Sequence, residues 1–306
     1  MKILILGGSG FVSGTLTKMA LEQKHEVWCV TRGNRPLSPD VHPVIADRND
    51  VPAFKKALQE TNTRFDCVLD CICFNAEQAE AALTILPEFT DRVVVISTDS
   101  VYHPHKKTIP QTEDEYADIY LDDGSYGANK RKMEQVYLAD AGKRLTYTIF
   151  RPGHIFGEGS KLGAFPELTR RDDIIDIMNR GEPLPLVGGG KYLIQAIYAG
   201  DLCACMLAAM KNEKTYNKIF CIGGPDIVPN AEYYFTLGRI LNRPVTIKEI
   251  PEEGYLEAHP QYSGHLCPRA YDLTRLKEAG LPLPATTLEE GLRRQVAYIL
   301  RQRAQE

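Results

Sequence analysis

Lys2-Ile3-Leu4-Ile5-Leu6-Gly7-Gly8-Ser9-Gly10-Phe11-Val12-Ser13-Gly14 begins as an apolar run, breaks into glycines and resumes with helical spacing. A strand apolar at nearly every position is one buried on both faces, as in a parallel sheet. A glycine turn between such a strand and a helix leaves the helix's first N–H groups and its positive dipole end free to hold an anion. Gly7, Ser9 and Gly10 would meet a pyrophosphate there, Gly10 because a bare Cα lets the backbone come close. Phe11 and Val12 supply the first helical N–H groups. Ser13 stands where a third glycine is usual, a position that serves helix–strand packing and that a small side chain nearly satisfies. The stretch therefore predicts a dinucleotide-binding βα unit at the start of the chain.

Outward from it, β-branched runs alternate with helical stretches for about 150 residues, and that alternation implies parallel strands joined by right-handed crossovers. Strands are expected at Lys2–Leu6, Glu26–Thr31, Val44–Ala46, Asp66–Asp70, Arg92–Ser97 and Leu145–Phe150, and helices at Phe11–Gln23, Val51–Glu60, Ala76–Leu86 and Ser125–Ala141. The fold class is thus α/β: a Rossmann-type doubly wound parallel sheet, with a smaller C-terminal α/β substrate-binding region. Residues 1–151 form the dinucleotide domain, joined by part of 190–212, and 152–306 form the smaller region, whose Gly- and Pro-rich runs punctuate short elements. A closing helix at Thr287–Arg303 has a capping threonine, acids in its first turn and arginines further on.

With 36 basic and 40 acidic residues among 306, the net charge of −4 points away from nucleic acid as a partner. No apolar stretch reaches membrane length, so no membrane partner is expected. The first residues lack a small-residue cleavage site and are not read as a secretory leader. Eight cysteines, several within apolar runs, read as small buried thiols in a reducing compartment, hence a cytoplasmic protein. No paired ligand spacing supports a metal: Cys67, Cys71 and Cys73 fall on or beside a buried strand.

At the end of the second strand, Thr31-Arg32-Gly33-Asn34-Arg35 has arginines where an NAD-binding domain places an acid for the ribose hydroxyls. Arg32 and Arg35 suit a 2′-phosphate, which tilts the cofactor from NAD towards NADP; their bland alternative is a solvated loop pair. Asp47, with Arg48 beside it, is placed to take an adenine amino hydrogen or to cap the next helix. Ser97-Thr98-Asp99-Ser100 ends the fifth strand, and Tyr126-Gly127-Ala128-Asn129-Lys130 opens the helix after it. Both fall at the carboxyl edge of the sheet, where such folds hold ligands. Tyr126 and Lys130, four apart, share a helix face, so the ammonium can sit near the phenol and favour its phenolate.

These pieces in this order resemble the extended short-chain dehydrogenase/reductases of the NAD-dependent epimerase/dehydratase family. The resemblance extends to Arg151-Pro152-Gly153-His154-Ile155-Phe156-Gly157, Ile197-Tyr198-Ala199-Gly200-Asp201-Leu202 and Tyr271-Asp272-Leu273-Thr274-Arg275-Leu276. It implies that Tyr126 is the general acid/base, that Lys130 tunes it and holds the nicotinamide ribose, and that Thr98 bonds the reacting substrate oxygen. It further implies Pro152, His154 and Ile155 against the nicotinamide, and Cys71, Ile72 and Cys73 on the cofactor's other side. Asp99, Ser100 and His154 are the candidate substrate contacts, although Asp99 reads equally as a strand-end turn residue and His154 as a structural one.

Two departures bear on the substrate. Family dehydratases carry an Asp-Glu pair after the threonine, where this chain has Asp99-Ser100. Many nucleotide-sugar members carry an arginine before the Ile197–Leu202 segment, where Leu193-Ile194-Gln195-Ala196 has none. The expectation is an NAD(P)-dependent epimerase of a sugar or sugar nucleotide. A net NADP-dependent reductase of a non-nucleotide substrate is the alternative, and a non-catalytic RNA-binding relative the second. Two helices of the first half form the dimer interface of many relatives, so a homodimer is one assembly the resemblance allows.

Overall fold

The structure, a computed structural model, describes residues 1–106, 108–114, 123–164, 166–262 and 264–305. Its centre is a sheet of seven parallel strands: β1 (Lys2–Leu6), β2 (Glu26–Thr31), β3 (His42–Ile45), β4 (Cys67–Asp70), β5 (Arg92–Ile96), β6 (Thr146–Pro152) and β7 (Lys218–Ile222). They lie in the order β7-β6-β5-β4-β1-β2-β3. β1 sits between β4 and β2, in register Ile3 with Cys67 and with Val27. The chain leaves β1 on both sides of the sheet order, which opens a crevice at the carboxyl ends of β1 and β4.

Helices α1 (Phe11–Glu22), α2 (Val51–Glu60), α3 (Ala76–Ile85) and α4 (Tyr126–Asp140) cover the sheet and match the expected spans to within two residues. Their starts have local causes. Asp50 Oδ1 accepts the Ala53 N–H at 3.1 Å, Asn75 Oδ1 that of Gln78 at 3.0 Å, and Ser125 Oγ that of Ala128 at 3.3 Å. Thr287 likewise caps the C-terminal helix, Leu288–Arg303, by accepting the Glu290 N–H at 3.2 Å.

Six strands are expected from the sequence and seven are found. The seventh, Lys218-Ile219-Phe220-Cys221-Ile222, pairs with β6 from Thr148 to Pro152. It lies in the irregular half, where neighbouring glycines and prolines mask its pattern. β3 starts at His42, two residues before the expected Val44. Pro43, which argues against a strand interior, is tolerated because β3 is the sheet's edge. The helix Ala199–Ala209 also belongs to this sheet: it packs on α1, and Cys203 Sγ reaches the Val12 carbonyl at 3.6 Å.

The rest is a small layer of short strand pairs. Leu184–Val187 runs parallel to Ile247–Ile250, Ile155–Phe156 parallel to Ile197–Tyr198, and Leu193–Ile194 antiparallel to Val228–Pro229. Phe156, Leu186, Tyr233, Tyr234 and Leu292 form a core of their own beneath the C-terminal helix. All eight cysteines are free thiols, buried except for the partly exposed Cys71. No helix among the described residues is long and apolar enough to cross a membrane.

Candidate active site

The glycine turn follows β1 directly and lines a cavity of about 560 Å³. Gly7 and Gly8 have φ of +115° and +105°, which L side chains rarely adopt. A Cβ on Gly8 would also lie 2.5 Å from Cys29 Sγ, so this residue lets the turn sit against β2. Gly10 N–H donates to Ser13 Oγ at 3.0 Å, and Ser13 is buried. The serine that loosens the glycine pattern thus has a role of its own, since its hydroxyl fills the space under Gly7 and Gly10 and holds the turn. Phe11 faces a neighbouring cavity of about 820 Å³ with Tyr198 and Arg294.

The first cavity passes Arg32, Asn34 and Arg35 after β2, Asp47 after β3, and Ile72, Phe74 and Gln78 after β4. Arg32 and Arg35 are exposed and make no ion pair with any described residue. Arg48 differs from them. Its guanidinium is buried and donates to both oxygens of Asp70 at 2.8 and 2.9 Å and to the Gln78 carbonyl at 3.1 Å. It borders the cavity but is committed to holding the β4 end. Asp47 accepts the Asn49 N–H at 2.9 Å through one oxygen, which leaves the other for a ligand. Of the three residues expected on the cofactor's other side, Ile72 lines the cavity; Cys71 packs on the core and Cys73 is buried. A glycine cradle at the crevice, a helix N-terminus and two unpaired arginines fit a dinucleotide.

Thr98 and Tyr126 meet across the next strand end. Thr98 Oγ1 accepts the Ser100 N–H at 3.2 Å and so caps the short turn Asp99–Val101. The first turn of α4 lies flush on that turn, because a Cβ on Gly127 would fall 2.1 Å from the Ser100 carbonyl oxygen. Sequence reading passes over Gly127, yet it sets how close Tyr126 comes. Tyr126 is 55% exposed, and its hydroxyl bonds to no described residue. The protein packed around it, and then the Asp99 carboxylate, push the phenol up to about 12, while Arg170 pulls the other way.

Lys130 is buried, and its Nζ donates to the carbonyls of Cys73 at 2.6 Å and Ile96 at 2.5 Å. The expected approach of this ammonium to the phenol is not what this structure holds: a buried cation must find acceptors, and the ends of β4 and β5 supply them. Burial pulls the Lys130 ammonium below its usual value. The exposed Phe74 ring, 5.3 Å from Nζ, forms the cavity side of this site.

Asp99 is turned inward. Arg269 Nη1 donates to its two oxygens at 2.8 and 2.6 Å, and Tyr271 Oη donates at 2.5 Å. The turn reading of Asp99 describes its backbone, and a buried ion pair describes its side chain. Ser100 is half-buried beside it. His154 is buried, its ring edge-on to Tyr233 at 6.0 Å, and burial followed by Arg170 and Arg269 pushes its imidazole down to about 3. Burial does the same to His265, down to about 4. Pro152 ends β6 against Ile222, and Ile155 packs on the main core. Arg170, Tyr233, His265, Arg269 and Tyr271 lie around this group; Tyr271 opens a segment that carries the family resemblance, and no local motif marks the other four.

A doubly wound sheet with a glycine turn at its switch point, a threonine at a strand end and a tyrosine and lysine on the helix packed against it defines a dinucleotide-dependent class of α/β protein. Residues 3–223 match the NAD dependent epimerase/dehydratase family, and the chain belongs to that family of extended short-chain dehydrogenase/reductase enzymes. It is similar to a UDP-N-acetyl-alpha-D-glucosaminuronate decarboxylase of Bacillus cytotoxicus, 25% identical over 97% of both chains. It is also similar to the chloroplast stem-loop binding protein of 41 kDa b of Arabidopsis thaliana, 26% identical over 74% of this chain and 60% of that protein's length. Its fold is that of a UDP-glucuronic acid 4-epimerase from Bacillus cereus, solved with UDP-glucuronic acid and NAD. The TM-score is 0.75 at 19% identity, over 99% of this chain and 100% of that one.

Proposed function

We propose that this protein is an NAD(P)-dependent epimerase of a sugar or nucleotide-sugar-like substrate, acting at a carbinol carbon, with NADP the preferred cofactor. The observation that carries the reading is the half-exposed Tyr126 on α4, held against the turn that Thr98 opens, with only β4 between that strand end and the glycine cradle. The turn, Arg32, Arg35 and Asp47 would hold the dinucleotide, and when bound its nicotinamide supplies reversible hydride acceptance. Thr98 Oγ1 bonds the substrate hydroxyl and orients it. Tyr126 Oη, as phenolate, takes that hydroxyl's proton while the carbon is oxidised, and returns it when the carbon is reduced from its other face. The phenolate form needs added positive charge, which an oxidised nicotinamide would supply when bound, while Lys130 ties the ends of β4 and β5 together beneath it through the Cys73 and Ile96 carbonyls.

Asp99 supports epimerisation over dehydration. The Asp99 carboxylate is committed to Arg269 and Tyr271, and Ser100 stands where the dehydratases carry the second acid of the pair that water loss requires. Arg32 and Arg35, with no acid at the β2 end, favour the phosphorylated dinucleotide. The same arginines favour a second reading, a net reductase that consumes NADPH. Incubation of the purified protein with UDP-glucuronic acid or UDP-N-acetylglucosamine, followed by NMR of the sugar ring protons, separates the two. An epimerase inverts a carbinol centre with no net change in added cofactor, whereas stoichiometric NADPH loss marks the reductase. Absence of any NAD(H) or NADP(H) binding would overturn both.

A further inference from the structure

Asp99 and Arg269 are separated by 170 residues, and both are almost fully buried. Arg269 belongs to the C-terminal segment that closes the substrate side. Its N–H donates to the Leu193 carbonyl at 2.8 Å, and Nη2 donates to the Gly264 carbonyl. Tyr271, two residues on, is fixed at its own N–H by Gln195 Oε1 at 2.7 Å, and its hydroxyl completes the set on Asp99. The carboxylate on which they converge is bonded within its own turn as well, Thr98 Oγ1 approaching Asp99 Oδ1 at 3.4 Å.

We propose that Arg269 is a positioning residue for the acid/base machinery: it fixes Asp99 as a charge-compensated carboxylate, so that Thr98 keeps its place and the phenolate of Tyr126 can form. This rests on the reading of Tyr126 as the proton-transferring group. The physical argument is a balance of charges around one phenol. Tyr126 is faced by Asp99 and by Arg170, while Lys130, one turn along the same helix, spends its ammonium on the Cys73 and Ile96 carbonyls. The His154 and His265 imidazoles are neutral. Among these groups Asp99 is the one anion, and a carboxylate near a phenol disfavours the phenolate. Arg269, bonded to both oxygens, offsets part of that charge at its source. Without it the unscreened carboxylate opposes proton transfer at Tyr126, so that Arg269 acts on the phenol through Asp99.

The test is a titration that requires no substrate. On the protein loaded with NADP+, the ultraviolet phenolate step that disappears in Tyr126→Phe is followed against pH in a set of variants. Arg269→Gln is expected to move that step up by about one pH unit, the scale of a single nearby charge. Arg269→Lys keeps it near the wild-type position, Asp99→Asn moves it down, and Asp99→Asn combined with Arg269→Gln returns it to or below wild type. Rescue by removing the carboxylate is something a merely structural arginine would not show. A step unmoved in both Arg269→Gln and Asp99→Asn, or a double variant that stays shifted with Arg269→Gln, overturns the proposal. If Arg269→Gln does not fold, Asp99→Asn and the double variant decide alone. Should Tyr126→Phe keep full turnover, the proton-transfer reading fails while the titration still reports whether Arg269 governs the phenol.

Discussion

Arg151 and Glu134 form a buried ion pair, Arg151 Nη2 donating to Glu134 Oε2 at 2.7 Å and Nε to Oε1 at 3.0 Å. Arg151 is near the end of β6, and Glu134 lies one turn beyond Lys130 on α4, so the pair pins the helix that carries Tyr126 to the sheet. Burial works against the charged carboxyl, but Arg151 and Arg131 hold Glu134 below the usual carboxylate range. Removing Arg151 takes two charge-assisted bonds from the buried Glu134, which keeps only Arg131 at 3.1 Å among these arginines, and strips the buried Tyr102 hydroxyl and Glu113 carbonyl of this donor. Arg151→Met is therefore expected to cost about 3–5 kcal/mol in chemical denaturation, and a variant as stable as the parent would show that the pair is dispensable.

Tyr126→Phe removes the proton-transferring hydroxyl and keeps the ring. Turnover should fall by about 10²–10⁴-fold, while dinucleotide affinity, measured by fluorescence titration, stays within about twofold. In the oxidation direction the active form is the phenolate. Activity should therefore rise with pH, along a limb that the bound oxidised cofactor draws below the free protein's value of about 12. A flat profile would remove Tyr126 from the proton transfer.

Gly127→Ala tests the close approach of α4 to the Thr98 turn. The added methyl meets the Ser100 backbone carbonyl, which cannot swing aside as a flexible side chain would. The helix start must shift, carrying Tyr126 with it, and a misplacement of about 1 Å costs on the order of 10²-fold in rate. The expected signature is a fall in kcat with cofactor affinity preserved, read from paired steady-state and binding measurements.

Arg32→Ala and Arg35→Ala should discriminate between the two nicotinamide cofactors. Each loses hydrogen bonds to a charged group, about 1.5–3 kcal/mol, so NADPH should bind roughly 10–100-fold more weakly while NADH is almost unaffected. Equal losses for both cofactors would mean that these arginines stay in solvent.

His154 and His265 make the fold sensitive to acid. Burial keeps both imidazoles neutral, down to about 3 and about 4, whereas the unfolded chain takes up a proton near the ordinary histidine value of 6.5. Their folded values are depressed, so stability is level above that value and falls as pH drops from about 6.5 towards 4. The loss is on the order of a few kcal/mol. His154→Gln should flatten part of this slope in denaturation midpoints measured across that range; an unchanged slope would assign the acid sensitivity elsewhere.

The parts of this site that are legible in the sequence are those whose physics is local. Gly7, Gly8 and Gly10 stand out because a turn needs them, and Tyr126 and Lys130 because four residues make one helical turn. Strands β1, β2, β4 and β5 stand out because burial on both faces leaves nearly unbroken apolar runs. What stays hidden depends on distant partners. Nothing near Asp99 foretells Arg269 or Tyr271, and nothing near Lys130 foretells that the Cys73 and Ile96 carbonyls will hold its ammonium. Arg48 and Arg35 are alike as letters, yet Asp70 draws one into the interior and leaves the other at the cavity. Ser13 reads as an imperfect glycine until the Gly10 amide shows what its hydroxyl does.

The seventh strand has a consequence for the making of the protein. Through Pro152 a chain leaving the ribosome carries six strands, and the outer side of β6 has no neighbour until Ile222 follows about seventy residues later. At roughly 5–20 residues per second, that interval lasts several seconds. Throughout it a nascent chain presents an apolar, unpaired edge, the kind of template on which other strands assemble. The passage most exposed to misassembly is therefore the stretch of synthesis between β6 and β7, when the dinucleotide cradle already exists and the strand that protects its sheet does not.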